Sequence, residues 1–176
     1  MRIRFFQETD ENAIGAVIET AFCEEENKLI MTLAPELARD TTSPSIKSFV
    51  AEVNERVISY VSYSPIFLKS DTGISAYILA PLAVSPQHQK QGVGSQLVQR
   101  GIDVLTKEGV DVLLVYGDPA YYQRFGFSDK TGRAFMPPYP LAYPFGWTGM
   151  MLNETSLPDT LIQFDCGAAL SKPDLW

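Results

Sequence analysis

The chain has 176 residues, of which 45% are hydrophobic and 20% charged, and its formal net charge at pH 7 is −7. This length predicts one compact domain covering residues 1–176, and the hydrophobic share excludes a disordered chain. The acidic balance argues against nucleic acid as a partner, because binding to phosphodiesters depends on lysine and arginine contacts.

The amino-terminal segment and the two cysteines favour a cytoplasmic protein without a metal. The start, MRIRFFQETDE, has no apolar core behind its arginines and so does not resemble a secretory signal. The longest mostly apolar run, 74–84, is much shorter than the ~20 residues that span a bilayer, so we expect no membrane contact. Cys23 and Cys166 stand far apart without a histidine nearby. We therefore expect two buried, reduced thiols and no structural zinc.

The first half of the chain predicts a strand, two helices and three strands, in that order. The alternating RIRFF predicts the first strand, and the apolar stripe of ETDENAIGAVIETAF predicts an amphipathic helix. A helical pattern continues through EEENKLIMTLAPELARD, where Pro35 is expected either to interrupt the helix or to mark the boundary of a turn. Two β-rich runs around Asn54-Glu55 predict a hairpin. ISAYILAPLAV predicts the next strand, with Pro81 indicating a bulge or a splayed edge.

The second half predicts helix, strand, short helix and further strands. From Val93 an apolar stripe predicts a long amphipathic helix that ends at Gly109. DVLLVY predicts a buried strand, and GDPAYYQRFGF predicts a short helix after it. AFMPPYPLAYPFGW predicts a loop rich in proline and aromatic residues. Whether the late segment TLIQFDC completes the same sheet or reaches a partner subunit is left open.

A polar loop with two closely spaced glycines opens the long helix, in the stretch SPQHQKQGVGSQLVQRG. A strand that turns directly into a helix aims free backbone N–H groups and the positive end of the helix dipole at one place. Gly92 and Gly94 have no Cβ, so phosphate oxygens can approach the backbone closely. The Walker and dinucleotide glycine patterns are both absent, since Leu97 stands where the latter needs glycine. The loop predicts a phosphate site, with a loop shaped only for helix packing as the alternative.

The same stretch resembles a family signature. Gln89-x-x-Gly92-x-Gly94, after a strand and before an amphipathic helix, is similar to the [RQ]-x-x-G-x-[GA] acyl-CoA signature of the GNAT superfamily of acetyl-CoA-dependent N-acetyltransferases. AYYQRFGF resembles that family's Y-x-[KR]-x-G-F element, and GDPAYYQRFGF is especially similar to the YhbS-like predicted N-acetyltransferases. The resemblance implies an α/β (α+β), GNAT-like fold, in which helices flank both faces of a central mixed, mostly antiparallel, splayed β-sheet.

The resemblance also implies a cofactor site, with acetyl-CoA as co-substrate and no metal. Main-chain amides of the signature would hold the pyrophosphate, and pantetheine would lie along the strand before the loop. A backbone amide near Leu82 would polarise the thioester carbonyl as an oxyanion donor. The implied cofactor-binding residues are Leu82, Ala83, Val84, Gln89, Lys90, Gln91, Gly92, Val93, Gly94, Ser95 and Tyr122.

Tyr122 is the general acid that the resemblance implies, and adjacent helical residues point about 100° apart, so Tyr121 is not a second candidate. A phenol with a pKa of about 10 can protonate a departing thiolate. The implied reaction is acetyl transfer by direct attack of a primary amine, on a small molecule, peptide or protein, in a ternary complex. ISAYILAPLAV holds no carboxylate, so no general base is assigned. The alternatives are a non-catalytic acyl-CoA-binding or sensing module and, for Tyr122, a packing role.

Several residues keep a structural and a functional interpretation side by side. We interpret Asp118 before Pro119 as a helix cap and Arg124 as a surface or ion-pair residue. His88 is interpreted as a solvated loop residue, with a contact to the cofactor as the alternative. A glutamate run either attracts a cationic amine or forms a solvated face, and four late aromatic residues either cover an acceptor pocket or pack a loop. These residues are Glu24, Glu25, Glu26, Tyr139, Tyr143, Phe145 and Trp147. A homodimer is left open.

Overall fold

The computed structural model describes the backbone of residues 1–176 and every side chain except that of Glu25. The strands are β1 (Arg2–Phe5), β2 (Lys47–Val53), β3 (Arg56–Leu68), β4 (Ala76–Val84), β5 (Val112–Tyr116), β6 (Phe135–Met136), β7 (Trp147–Met151) and β8 (Ile162–Cys166). The helices are α1 (Glu11–Ala21), α2 (Glu24–Arg39), α3 (Val93–Lys107), α4 (Pro119–Tyr122) and α5 (Asp129–Gly132), and short 3-10 turns lie between several of these elements.

The strands form a mixed, mostly antiparallel sheet flanked by helices, which confirms the predicted fold class. Their hydrogen-bonded order is β1-β2-β3-β4-β5-β7, while β8 pairs with β3 and β6. The β4–β5 and β6–β8 pairs are parallel, whereas β1–β2, β2–β3, β3–β8 and β5–β7 are antiparallel. The late segment TLIQFDC thus supplies β8, which joins the sheet beside β3.

By its internal contacts the chain divides into two compact units. The first unit comprises residues 1–63 and 80–101, and the second comprises residues 64–79 and 102–176. The division falls within β3, β4 and α3, so each of these elements supplies residues to both units. That the whole chain forms one domain stays a prediction.

The first unit packs α1 and α2 around an apolar cluster. The buried members are Ile14, Val17, Ile18, Ala34, Val50, Tyr60 and Ala83, so the apolar stripe predicted for α1 faces this core. Arg4 links β1 to the start of α1, because its two terminal nitrogens donate to the Asp10 carboxylate at 2.7 and 2.9 Å. The predicted hairpin joins β2 to β3 through Asn54 and Glu55, whose φ values of 51° and 62° give the turn its left-handed backbone without glycine.

Two details of the first unit differ from the sequence predictions. Pro35 lies inside α2 and does not end the helix, which continues to Arg39. Leu33 and Leu37, on either side of it, are buried, and their packing outweighs the hydrogen bond that proline cannot make. The prediction of two buried thiols is wrong for Cys23, which is exposed just before α2, while Cys166 is partly buried; both are free.

The second unit is built around β5, whose residues 112–115 are buried as the continuous apolar run predicted. Its aromatic core contains Trp147 stacked on Phe164 with ring centroids 6.2 Å apart. The indole N–H of Trp147 donates to the carbonyl of Phe135 at 3.0 Å, which satisfies the polar atom of a buried side chain. These contacts hold β7 and β8 in place. The residues after β5 form the short helix α4.

Candidate functional site

The second half of β4, in the first unit, directs two backbone amides away from β3. Ser85 N–H donates to the carbonyl of Ile58 on β3 at 2.9 Å, and Ser59 Oγ donates to the carbonyl of Ala83 at 2.5 Å. Backbone groups two residues apart point to the same edge of a strand, so the N–H groups of Leu82 and Val84 point to the opposite edge. The pairing of β4 with β5 covers Ala76–Leu79, and both amides lie beyond it.

The loop after β4 is shaped by its own side chains. Pro86–His88 form one 3-10 turn, after which the side-chain amide of Gln89 donates to the Val84 carbonyl at 3.0 Å. The side-chain amide of Gln91 likewise donates to the Gln87 carbonyl at 2.8 Å. The two glutamines thus brace the loop. The main-chain N–H of Gln89 also donates within the loop, to the Pro86 carbonyl at 3.3 Å, so a ligand contact is expected from the main-chain N–H of Gln91.

Gly92 is the residue where the loop becomes α3. Its φ is +80°, in the left-handed region that favours glycine, and its carbonyl accepts the first helical hydrogen bond from Gln96 N–H at 3.0 Å. The amides of Val93, Gly94 and Ser95 precede that bond and have no intrahelical acceptor. No described atom lies within 4 Å of the place where a Gly92 Cβ would stand. The start of α3 is therefore an open array of N–H donors.

Two residues that position α3 were not predicted from the sequence. Tyr63 on β3 is fully buried, and its hydroxyl donates to the carbonyls of Leu97 and Val98 at 3.1 and 3.3 Å. The Tyr63 ring stands beside Gly101, where an added Cβ would overlap its atoms. The sequence does show a tyrosine in a predicted strand and a glycine in a later predicted helix. Their spacing in the chain does not show that the two residues meet.

The chemistry of the loop fits an anionic group such as the predicted pyrophosphate. Its donors are main-chain amides at the start of a 15-residue helix, where the helix dipole favours negative charge. The open space before Gly92 gives oxygen atoms access to them. Nδ1 of His88 is buried and lacks a hydrogen-bond partner among the described residues, so the interpretation of His88 as a solvated residue is wrong for this atom.

Tyr122, in the second unit, ends α4 and is held among aromatic rings. Its ring lies 5.0 Å from that of Tyr121 and 5.5 Å from that of Phe127, between centroids, and the residue is 8% exposed. A Cβ on Gly117 would lie 2.7 Å from Tyr122 Cε2, so only glycine there leaves room for the ring. Asp118 caps α4 as predicted, accepting from Ala120 N–H at 2.9 Å.

Burial raises the pKa of Tyr122 well above its ordinary value of 10, with smaller contributions from Tyr121 and Asp118. The phenol therefore stays protonated at neutral pH and can act as a proton donor. Tyr121 differs, because the guanidinium of Arg124 lies over its ring at 4.0 Å. Arg124 thus packs on an aromatic face, and the two neighbouring tyrosines have separate surroundings.

The late aromatic residues divide into two kinds. Trp147 is buried, and the hydroxyl of Tyr139 donates to the Ser171 carbonyl at 3.2 Å, so these two pack the structure. Tyr143 and Phe145 are 64% and 71% exposed, with ring centroids 5.9 Å apart. Tyr116 at the end of β5 accepts from Tyr143 N–H at 2.7 Å and fixes the loop. Only the exposed pair keeps the predicted alternative of contacting an acceptor.

The glutamate run at the start of α2 behaves as a solvated face in the part described. Glu24 lies 3.9 Å from Lys28, one helical turn on, and both side chains are almost fully exposed. Glu26 accepts a hydrogen bond from Cys23 Sγ at 3.4 Å, and the side chain of Glu25 lies outside the described residues. Within the described part of the chain no group of three or more metal-binding side chains comes together, and none of its helices is long and apolar enough to cross a membrane.

Known proteins resemble this chain in both sequence and fold. Residues 44–129 match the family model for the acetyltransferase (GNAT) domain. The chain is 30% identical over 131 residues to the uncharacterized N-acetyltransferase YjhQ of Escherichia coli K12, covering 73% of this chain and 72% of that protein. It is 32% identical over 128 residues to the uncharacterized N-acetyltransferase YhbS of the same strain, covering 72% of this chain and 73% of that protein.

Two solved structures extend the likeness to most of the chain. The crystal structure of E. coli YhbS in complex with CoA has a TM-score of 0.78 and 26% identity, covering 97% of this chain and 92% of that one. A GNAT family acetyltransferase from Brucella melitensis in complex with acetyl-CoA has a TM-score of 0.67 and 25% identity, covering 96% of each chain.

Proposed function

The chain belongs to the GNAT acetyltransferase family, and on that basis we propose that it moves an acetyl group from acetyl-CoA to a primary amine. The observation that carries this proposal is the loop after β4, in which Gly92 with φ +80° opens α3 and leaves its first amides accessible. An amide array of this kind binds a pyrophosphate through main-chain donors, without a basic cluster in an acidic chain.

The cofactor arm fits the second half of β4. The amides of Leu82 and Val84 point to the edge opposite β3, where an extended pantetheine chain can pair with them as a further strand would. The Leu82 N–H then donates to the thioester carbonyl oxygen as negative charge develops on it during attack. The amides of residues 90–95 hold the pyrophosphate in this proposal. Gln89 shapes the loop, because its N–H donates to the Pro86 carbonyl and its side-chain amide to the Val84 carbonyl.

Tyr122 supplies the proton in the proposed reaction. The amine nitrogen forms a bond to the acetyl carbon, the bond from that carbon to sulfur breaks, and the departing thiolate takes the phenolic proton of Tyr122. Burial keeps that proton on the oxygen at neutral pH, so Tyr122 is in its acid form when the thiolate departs. The attacking amine must be neutral, and its own proton leaves to water, since β4 carries no carboxylate.

An amine screen tests the proposed activity. Purified protein with acetyl-CoA is mixed with small amines, peptides and protein substrates, and release of free thiol is followed together with the mass of the acetylated product. A transferase gives thiol and acetylated amine in equal amounts. Acetyl-CoA binding without turnover on any amine class would instead favour the acyl-CoA-binding or sensing module. Absence of binding would contradict both.

A further inference from the structure

A cleft between α1 and α2 in the first unit has no role in the chemistry proposed above. It has a volume of about 420 Å³ and is lined by residues of both helices and by Phe6. That volume lies within the range of about 300–1,000 Å³ typical of small-ligand sites. Ile14, Ile18 and Ala34 form an apolar floor, and all three are buried members of the core cluster.

Gly15 keeps one wall of this cleft open. It stands in the middle of α1, where glycine costs roughly 0.5–1 kcal/mol relative to alanine. Packing does not require it, because an added Cβ would come no closer than 3.8 Å to any neighbour, the end of the Met31 side chain. A glycine that weakens its helix without steric need is best explained by the space it leaves.

Pro35 leaves a hydrogen-bond acceptor beside the same cleft. It lies inside α2 and lines the cleft together with Met31, four residues earlier. Proline has no N–H and cannot donate to the carbonyl of that earlier residue, so the Met31 carbonyl lacks its usual helical partner. A second helix rule is thus broken at this cleft.

The charged side chains at the rim are also acceptors. Glu11 and Glu19 both line the cleft and lie about two helical turns apart along α1. Glu11 lies 3.0 Å from Arg39, which offsets its charge. Glu19 is exposed, and within the described part of the chain its carboxylate has no cationic partner. The rim therefore carries net negative charge above an apolar floor.

We propose that this cleft binds an alkylammonium ion, a positively charged primary amine on an aliphatic chain. The aliphatic part packs on Ile14, Ile18 and Ala34, and the ammonium group pairs with the carboxylate of Glu19 at the rim. Ile14 and Ile18 pack in one cluster with Ala83 of β4, so the ligand binds on the same core that supports that strand. The proposal is independent of acetyl transfer, because binding needs no acetyl-CoA.

Calorimetric titration with n-hexylammonium chloride, in the absence of acetyl-CoA, tests the site. The parent protein is expected to bind this ion, and more weakly at 0.5 M salt than at low salt, because screening weakens exposed charge pairs. Sodium hexanoate has the same chain with the opposite charge and is expected not to bind. Binding of hexanoate as tight as that of hexylammonium, or no binding of hexylammonium, would overturn the proposal.

Matched variants locate the site. Gly15→Leu fills the cleft and is expected to weaken hexylammonium binding by about tenfold or more, because a packed side chain leaves no space for the ligand. Thr20→Leu places the same side chain on the exposed face of α1, outside the cleft, and should leave affinity unchanged. Glu19→Gln should weaken binding about two- to fivefold, as expected for one exposed charge pair. Unchanged affinity in a folded Gly15→Leu protein, verified by circular dichroism, would refute the site.

Discussion

The ring of Tyr63 occupies the space beside Gly101 that a side chain at that position would need. The same tyrosine donates its hydroxyl proton to the carbonyl of Leu97 at 3.1 Å, one turn earlier in α3. The strand that bears the tyrosine is thereby fixed to the helix whose first amides form the proposed cradle. The position of those amides depends on a contact more than one helical turn away.

Gly101→Ala is expected to destabilise the protein by about 1–3 kcal/mol, because a methyl group must be forced into a packed ring. Chemical denaturation measures this loss. Gly15→Ala is the matched control, since both glycines lie inside helices but a Cβ at Gly15 meets only ordinary contacts. That substitution should raise stability by about 0.5–1 kcal/mol. Equal effects of the two substitutions would show that Tyr63 does not fix α3.

Gly92→Val is expected to weaken CoA binding by about tenfold or more, equivalent to at least about 1.4 kcal/mol. A branched side chain there strains the backbone and enters the space before the amides. Gly109→Val is the control, because Gly109 has a similar φ of +78° and equally open surroundings at the other end of α3. Both variants should lose stability, but only the first should lose affinity in calorimetry. Comparable loss of affinity in both would trace the effect to helix strain.

Tyr122→Phe is expected to lower kcat about 100-fold, within the range for loss of a general acid, while acetyl-CoA affinity changes little. Steady-state rates with an amine from the screen, and acetyl-CoA titrations, measure the two quantities. Tyr121→Phe removes the neighbouring hydroxyl and should leave kcat within about twofold of the parent, since no chemical role is given to it. A Tyr122→Phe enzyme with parental kcat would exclude Tyr122 as the acid.

Asp10→Asn is expected to cost about 1–3 kcal/mol of stability at neutral pH, because it removes the charge that accepts two hydrogen bonds from Arg4 in a partly buried ion pair. The side-chain hydrogen bonds from Arg4, aided by the Gln7 N–H, hold the pKa of Asp10 below its ordinary value of 3.8. A lowered folded-state pKa gives stability that is present above pH 3.8 and is lost as the pH falls through the folded value.

Urea unfolding of the parent and the Asp10→Asn protein from pH 7 down to pH 3 measures that dependence. The difference in unfolding free energy should be constant near neutrality and shrink below about pH 4, as Asp10 takes up a proton in the parent. A difference that stays constant down to pH 3 would mean that the Asp10 carboxylate does not contribute through its charge.

The element order and the glycine-containing loop before α3 could be predicted from the sequence because each depends on local chemistry. The stripe from Val93 and the glycine at Gly109 define α3 through spacing and backbone preference alone. The turn at Asn54-Glu55 was predicted from the runs around it, even though neither residue is glycine. In each case the residues that determine the local structure are neighbours in the chain.

Other features depend on contacts between residues distant in the chain, and the sequence did not reveal them. Pro35 was expected to break its helix, but Leu33 and Leu37 supply packing that local propensity omits. Tyr63 and Gly101 are 38 positions apart, so their meeting follows only from the fold. Tyr143 and Phe145 could not be distinguished from Tyr139 and Trp147 by composition, because only packing separates exposed rings from buried ones.

In the proposed binding mode, main-chain amides at the start of α3 bind the pyrophosphate of CoA. A crystal structure of this protein with CoA tests it most directly. We predict pyrophosphate oxygens at about 3 Å from the amide nitrogens of residues 92–95, the ordinary hydrogen-bond distance. A pyrophosphate held by lysine and arginine side chains elsewhere, with the amides before Gln96 facing only solvent, would contradict the account.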